Sequence, residues 1–186
     1  MKILYLHGFA SAVKKSSKKY DELRKIGEVV PFAPDYCQGF DQVMADTLAF
    51  AAAGDIQVIV GTSMGGYTAS HIAAALKMPF VAINPSITPS QTLKKYVGKH
   101  QNYAGSSYEL KPEHVGSYPD FNTLTKGLII VSTLDEVIPA EDTQAFAKEK
   151  QLPIVSCDYG DHRFEDISPL IEQIAEHLLA ADSCSI

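Results

Sequence analysis

Ser63 lies between two glycines in the run Gly61-Thr62-Ser63-Met64-Gly65. A serine hydroxyl is a weak nucleophile until a base takes its proton. A histidine suited to that task is His162, in Asp158-Tyr159-Gly160-Asp161-His162-Arg163-Phe164. An imidazole accepts and returns a proton near neutral pH. A carboxylate is available at Asp135, in Thr133-Leu134-Asp135-Glu136-Val137-Ile138-Pro139. It would hold the imidazole in one tautomer and stabilise the imidazolium. Glu136, Asp158 and Asp161 compete for that role. Asp135 is preferred because it comes first after its strand and because Val137 and Pro139 can pack the loop. The chemistry of such a set is acyl transfer. It needs two preorganised donors for an oxyanion, and the backbone amides of Met64 and Phe9 are the candidates. Each such donor is worth ~3 kcal/mol in the transition state.

The surrounding elements decide whether these residues can meet. Ile56-Gln57-Val58-Ile59-Val60 reads as a buried strand, and Gly66 to Leu76 reads as a helix. Strand, Gly-x-Ser-x-Gly and helix together make the context of a nucleophile elbow. The turn puts the serine at unfavourable dihedrals, and side chains at the flanking glycines would collide. Further strands are expected at 3–6, 28–32, 79–83, 127–132 and 153–157. Helices are expected at 15–26, 41–53, 140–148 and 165–179, with Asp41 as the N-cap of the second. Short apolar strands alternating with helices imply βαβ units and a mainly parallel sheet covered on both faces. Catalytic groups of such sheets emerge at the strands' C-terminal ends. Ser63, Asp135 and His162 all follow strands, in the chain order of the α/β-hydrolases. The segment Pro85–Lys126 breaks the rhythm. It is rich in Ser, Tyr, Gly and Pro and is expected to be irregular, with at most short helices near Gln91–Val97.

The chain resembles the small bacterial α/β-hydrolases of the YqiA/YcfP esterase type. Tyr5-Leu6-His7-Gly8-Phe9, Gly61-Thr62-Ser63-Met64-Gly65-Gly66-Tyr67 and Asn84-Pro85-Ser86 carry the resemblance. So do Tyr96-x-Gly98-x3-Asn102-Tyr103-x-Gly105-x2-Tyr108-x-Leu110, Asp135-Glu136-Val137 and Gly160-Asp161-His162-Arg163-Phe164. Tyr159 stands where many relatives carry another glycine. The resemblance implies a triad of Ser63, Asp135 and His162 and hydrolysis of short-chain carboxylic esters. An acyl-CoA thioesterase or acyltransferase is the rival on the same residues, because an acyl-enzyme can pass its acyl group to any nucleophile. It also implies one α/β-hydrolase domain over 1–186, three-layered, with six strands ordered 2-1-3-4-5-6 and a minimal lid at 85–126. Independently, that lid is polar and tyrosine-rich, which suits the rim of a shallow site better than a long apolar tunnel. Candidate substrate contacts are His7, Gly8, Tyr67, Tyr103 and Tyr108, with His7 chiefly structural. A non-catalytic binding protein on this fold would not need the matched triad.

Composition fits this picture. The chain has 186 residues, 46% hydrophobic and 20% charged, with a formal net charge of −6. That charge argues against non-specific nucleic-acid binding. Three cysteines, Cys37, Cys157 and Cys184, without Cys-x-x-Cys spacing suit a reducing cytoplasm and no disulfide or zinc framework. No stretch approaches the ~20 apolar residues of a membrane span. The expected partner is a small-molecule ester, with no metal and no organic cofactor. His71, His100, His114 and His177 read as surface or packing residues. Lys14, Lys15, Lys18 and Lys19 read as a solvated helix start, or, more sharply, as a dock for an anionic substrate group.

Overall fold

The computed structural model describes residues 1–125 and 127–182. Eight strands follow along the chain: β1 (Lys2–Leu6), β2 (Glu28–Phe32), β3 (Val58–Thr62), β4 (Phe80–Ile83), β5 (Gly98–Gln101), β6 (Ser107–Leu110), β7 (Leu128–Ser132) and β8 (Ile154–Cys157). Six of them form one sheet in the order β2-β1-β3-β4-β7-β8. Every pairing in it is parallel. This matches the expected order once the sheet's strands are counted in sequence.

The helices are α1 (Lys18–Leu23), α2 (Phe40–Ala53), α3 (Met64–Leu76), α4 (Pro89–Thr92), α5 (Pro112–Gly116), α6 (Ala140–Lys150) and α7 (Ile171–Asp182). Parallel strands need crossovers, and these cover both faces of the sheet. On one face Leu4, Leu6, Ile59, Ala82, Ile129 and Val131 pack against residues of α2, α3 and α6. On the other, Ile3, Val58, Val60, Val81, Ile83 and Ile130 pack against Leu23 of α1 and Ile174 and Leu178 of α7. Alternate residues of each strand thus serve alternate layers. Among the described residues, no helix is long and apolar enough to cross a membrane.

Three elements differ from expectation. α1 is only six residues long. Its first turn starts at Ser17, whose hydroxyl accepts from the Tyr20 amide, so the lysines before it lie in the loop. The final helix starts at Ile171, behind a 3₁₀ turn at Ser168–Leu170. Asp166 accepts from the Ser168 amide there and Pro169 lacks a donor, which delays the α-helical ladder. Asp41 is in the first turn of α2 rather than at its cap, which is Gly39.

The segment after β4 is more ordered than expected. β5 and β6 pair as an antiparallel hairpin. The turn between them is closed by Asn102, whose Oδ1 accepts from the amides of Ala104 and Ser106 at 3.0 and 2.9 Å. Gly105, at φ +82°, completes it. Each strand has four residues, too few for an alternating pattern to show in the sequence. The hairpin docks on the loop after β1, where the Tyr103 amide donates to the Ala10 carbonyl at 3.1 Å.

Candidate active site

Ser63 ends β3 and opens α3 at φ 57° and ψ −123°. A non-glycine residue there stores of order 1–3 kcal/mol of strain, so its surroundings must hold it. They do so by close packing. A β-carbon on Gly61 would sit 2.1 Å from the Gly65 carbonyl oxygen. The Ser63 amide donates to the Ile83 carbonyl at 2.9 Å, and the Ser63 carbonyl accepts from Tyr67 at 3.0 Å.

The turn points the hydroxyl at a histidine. Nε2 of His162 lies 3.0 Å from Ser63 Oγ. Nδ1 of the same ring lies 2.9 and 2.8 Å from the two carboxylate oxygens of Asp135. A carboxylate only accepts, so Nδ1 carries the proton and Nε2 is left to accept from the serine. The Asp135 side chain is 2% exposed. Its Oδ1 also accepts from the amides of Val137 and Ile138 at 2.8 and 2.9 Å. The loop after β7 therefore folds around this carboxylate.

The three rivals for the acid have other places. Glu136 accepts from the backbone amide of His162 at 2.9 Å. Asp161 accepts from the amides of Arg163 and Phe164, both at 3.0 Å, and shapes the histidine turn. Asp158 is exposed.

The loop after β1 supplies the opposite wall. A β-carbon on Gly8 would lie 3.1 Å from Ser63 Cβ and 3.6 Å from its Oγ. A side chain at position 8 would push this loop a few tenths of an ångström away from Ser63. The Met64 amide, in the first turn of α3, has no intrahelical acceptor. The His7 carbonyl is fixed by the Tyr36 hydroxyl at 2.8 Å. Tyr36 is in turn held by Tyr118, whose hydroxyl donates to its carbonyl at 2.7 Å. The Phe9 ring packs 5.3 Å from Tyr96 and 5.2 Å from Tyr108, centroid to centroid. The insertion thus braces the loop that carries the Phe9 amide.

His7 is 7% exposed. Its ring bonds to the Tyr20 hydroxyl and, at 3.2 Å, to Ser11 Oγ. Burial, with the Lys19 and Lys14 charges nearby, pushes its pKa down to about 4, so it is a neutral bracing ring. A cavity of about 440 Å³ opens over Ser63, bounded by the β1 loop, the hairpin and the histidine loop. Gly8, Tyr103 and Tyr108 reach it, as does His100. Tyr67 does not. It is fully buried on α3, against Phe40, His71 and Tyr118. The residue sits one turn past Ser63, and its side chain falls on the core side of the helix. Tyr118 of the tyrosine-rich insertion is also a core residue, at 2% exposure. The remaining histidines pack, as at His71, whose Nε2 meets the Asp120 carbonyl at 3.1 Å.

Two further residues, Asn84 and Lys19, position the site without having been expected to. Asn84 Oδ1 accepts from the Ser132 amide at 2.8 Å, while its Nδ2 donates to the carbonyls of Asp161 and His162 at 3.1 and 3.3 Å. It ties β4, β7 and the histidine loop together. Its place directly after β4, in the Asn84-Pro85-Ser86 run, is the available sequence signal. Lys19 is buried, against the expectation of a solvated helix start. Its ammonium donates to Thr62 Oγ1 at 2.9 Å and to the Arg163 carbonyl at 2.7 Å. Among the described residues no group of His, Cys, Asp and Glu side chains forms a cluster able to hold a metal ion. Burial raises the thiol pKa of Cys37 to about 11 and also raises that of Cys157. Cys184 and Lys126 lie outside the described residues.

Solved structures share this architecture. Est1E from Butyrivibrio proteoclasticus matches with a TM-score of 0.72 at 18% identity, covering 98% of this chain and 88% of that one. The esterase domain of a Rhodothermus marinus protein matches at 0.68 and 17%, covering 97% and 86%. At these identities the likeness shows the fold, that of the α/β-hydrolases. A UPF0227 protein of Yersinia pseudotuberculosis is 24% identical over 178 residues, covering 92% of this chain and 96% of the relative. The sequence model of the uncharacterised protein family UPF0227 matches residues 2–179. From the strand before His7 to the last turns of α7, the chain belongs to the UPF0227 family, of the YqiA/YcfP-like kind.

Proposed function

We propose that this protein is a serine hydrolase that cleaves short-chain carboxylic esters through a Ser63–His162–Asp135 triad. One observation carries the reading: His162 bridges Ser63 Oγ and the buried Asp135 carboxylate, with Nδ1 on the acid and Nε2 on the hydroxyl. Ser63 Oγ attacks the ester carbonyl and its proton passes to His162 Nε2. The oxyanion takes the amides of Phe9 and Met64. Asp135 stabilises the imidazolium without taking its proton. The C–O bond to the alcohol then breaks, and His162 returns the proton to the departing alkoxide. Water, deprotonated by His162, hydrolyses the acyl-enzyme and restores Ser63. The residues act as one hydrolase domain, in which Leu93, Tyr96, Tyr103 and Tyr108 of the insertion wall the site.

Acyl preference follows from the walls. Leu93, Tyr96 and Ile138 give the cavity apolar surface close to Ser63, within a volume of about 440 Å³. His100, Gln101, Asn102 and Tyr103 make its hairpin side polar, which supports a preference for short chains over long apolar ones. Hydrolysis of 4-nitrophenyl esters from two to sixteen carbons, beside the matching acyl-CoA series, tests the assignment. Release of nitrophenol from the short members, abolished in Ser63→Ala, is the expected result. Faster turnover of acyl-CoA than of any oxygen ester would replace it with a thioesterase.

A further inference from the structure

Lys19 is 6% exposed, yet both its hydrogen bonds go to neutral oxygens, on Thr62 and Arg163. Among the described residues no carboxylate forms an ion pair with it. Buried cations are ordinarily matched by an anion, because desolvating an unmatched charge is costly. The mismatch is visible in its pKa, which burial pushes down to about 7 despite the more distant Glu165 and Asp161. Lys19 is also among the residues that line the cavity over Ser63. It sits beside Thr62, the neighbour of the nucleophile, and beside the residue that follows His162.

Two further cations share that wall. Arg163 stacks on the Tyr103 ring, 4.5 Å from its centroid, which leaves the guanidinium edge free for in-plane acceptors. Lys14 pairs with Glu165 at 3.6 Å, with both side chains more than half exposed. Such a pair is weak and yields to a better anion at little cost. Lys14, Lys19 and Arg163 against Glu165 make the cavity's wall net positive, in a chain whose formal charge is −6. The asymmetry is local to the site.

The side of the site matters. Lys19 and Arg163 are anchored to the histidine loop, and His162 is the group that protonates the departing alcohol. We propose that the esters this site takes carry an anionic group, a carboxylate or a phosphate, on the alcohol portion, and that Lys19 with Arg163 and Lys14 recognises it. This deepens the hydrolase reading and rests on it. The anion is the counter-charge that Lys19 lacks, and its charge-assisted bonds draw the scissile carbonyl toward Ser63.

The test compares 3-acetoxybenzoate and 3-acetoxyphenyl phosphate with the uncharged 3-acetoxybenzamide. 4-Nitrophenyl hemisuccinate against 4-nitrophenyl pentanoate puts the anion on the acyl side instead. The wild type should prefer an alcohol-side anion by about tenfold or more in kcat/KM, chiefly through KM. Of the two anionic acetates, the faster identifies carboxylate or phosphate as the group recognised. The charged-to-neutral ratio should fall close to one in Lys19→Met and fall partly in Arg163→Leu. Inorganic phosphate should compete with the neutral ester in the wild type, so the proposal stays testable if Lys19→Met does not fold. Equal rates for charged and neutral acetates would overturn it. So would a preference that survives Lys19→Met and Arg163→Leu, or one confined to the acyl side. Turnover of the neutral ester without any charge preference defeats this proposal alone. No turnover of any ester defeats the hydrolase reading as well.

Discussion

A β-carbon placed on Gly65 would lie 2.0 Å from the carbonyl oxygen of Leu6. The first turn of α3 is thus pressed against the end of β1, where the chain turns into His7 and Gly8. This contact couples the serine turn to the loop bearing the Phe9 amide. Gly65→Ala should cost on the order of 3 kcal/mol or more, since backbone rather than a flexible side chain must move. Denaturant titration measures it. A variant as stable as the wild type would mean that α3 and β1 are not in this contact.

Gly8→Ala is a milder probe of the same wall. Its methyl would meet Ser63 Cβ and the Thr62 carbonyl, both at 3.1 Å, a distance small shifts can absorb. Stability should change little. Turnover should fall by about 10²-fold, because the Phe9 amide moves away from the oxyanion. Circular dichroism with steady-state kinetics separates the two effects, and unchanged turnover would remove the β1 loop from the site.

The framework of this site was readable in the sequence because each element announced itself locally. Val58–Val60 is a continuous apolar strand, Gly61 and Gly65 mark a turn too tight for side chains, and Asp135 and His162 each follow a strand. Tyr67 and Lys19 were not readable in the same way. Whether a tyrosine one turn past Ser63 faces cavity or core depends on how α3 rotates against α2. Whether a lysine at a helix start is solvated depends on whether its ammonium finds Thr62 and the Arg163 carbonyl, which are distant in sequence. The hairpin of β5 and β6 escaped for a third reason: four-residue strands do not establish a period of two.

Asp135 and Glu136 are adjacent yet hold different parts of His162, ring and backbone amide respectively. Asp135→Asn should lower kcat by about 10⁴-fold, since an amide favours the wrong tautomer. Glu136→Gln keeps an acceptor for the amide and should cost about tenfold at most. A larger loss in Glu136→Gln than in Asp135→Asn would exchange their roles.

His7 links the site to acid stability. Its folded pKa is pushed down to about 4 from an ordinary 6.5. Folding therefore favours the neutral ring, and the unfolded chain binds the extra proton as pH falls. The stabilisation is present in full above pH 6.5 and is lost progressively toward about 4, amounting to about 3 kcal/mol. Burial lowers the His71 and His177 pKa values as well, so these contribute to the same window. The wild type should lose stability more steeply than His7→Gln between pH 6.5 and 4. Parallel curves would show that His7 is not held neutral.

The central claim is that Ser63 is the nucleophile, and a fluorophosphonate tests it most directly. Intact-mass spectrometry of the treated protein should show one adduct, and peptide mapping should place it on Ser63. Ser63→Ala should remain unlabelled while folding normally, with kcat reduced by on the order of 10⁵–10⁶-fold. An unlabelled wild type that still cleaves esters, or an adduct that persists in Ser63→Ala, would contradict the account.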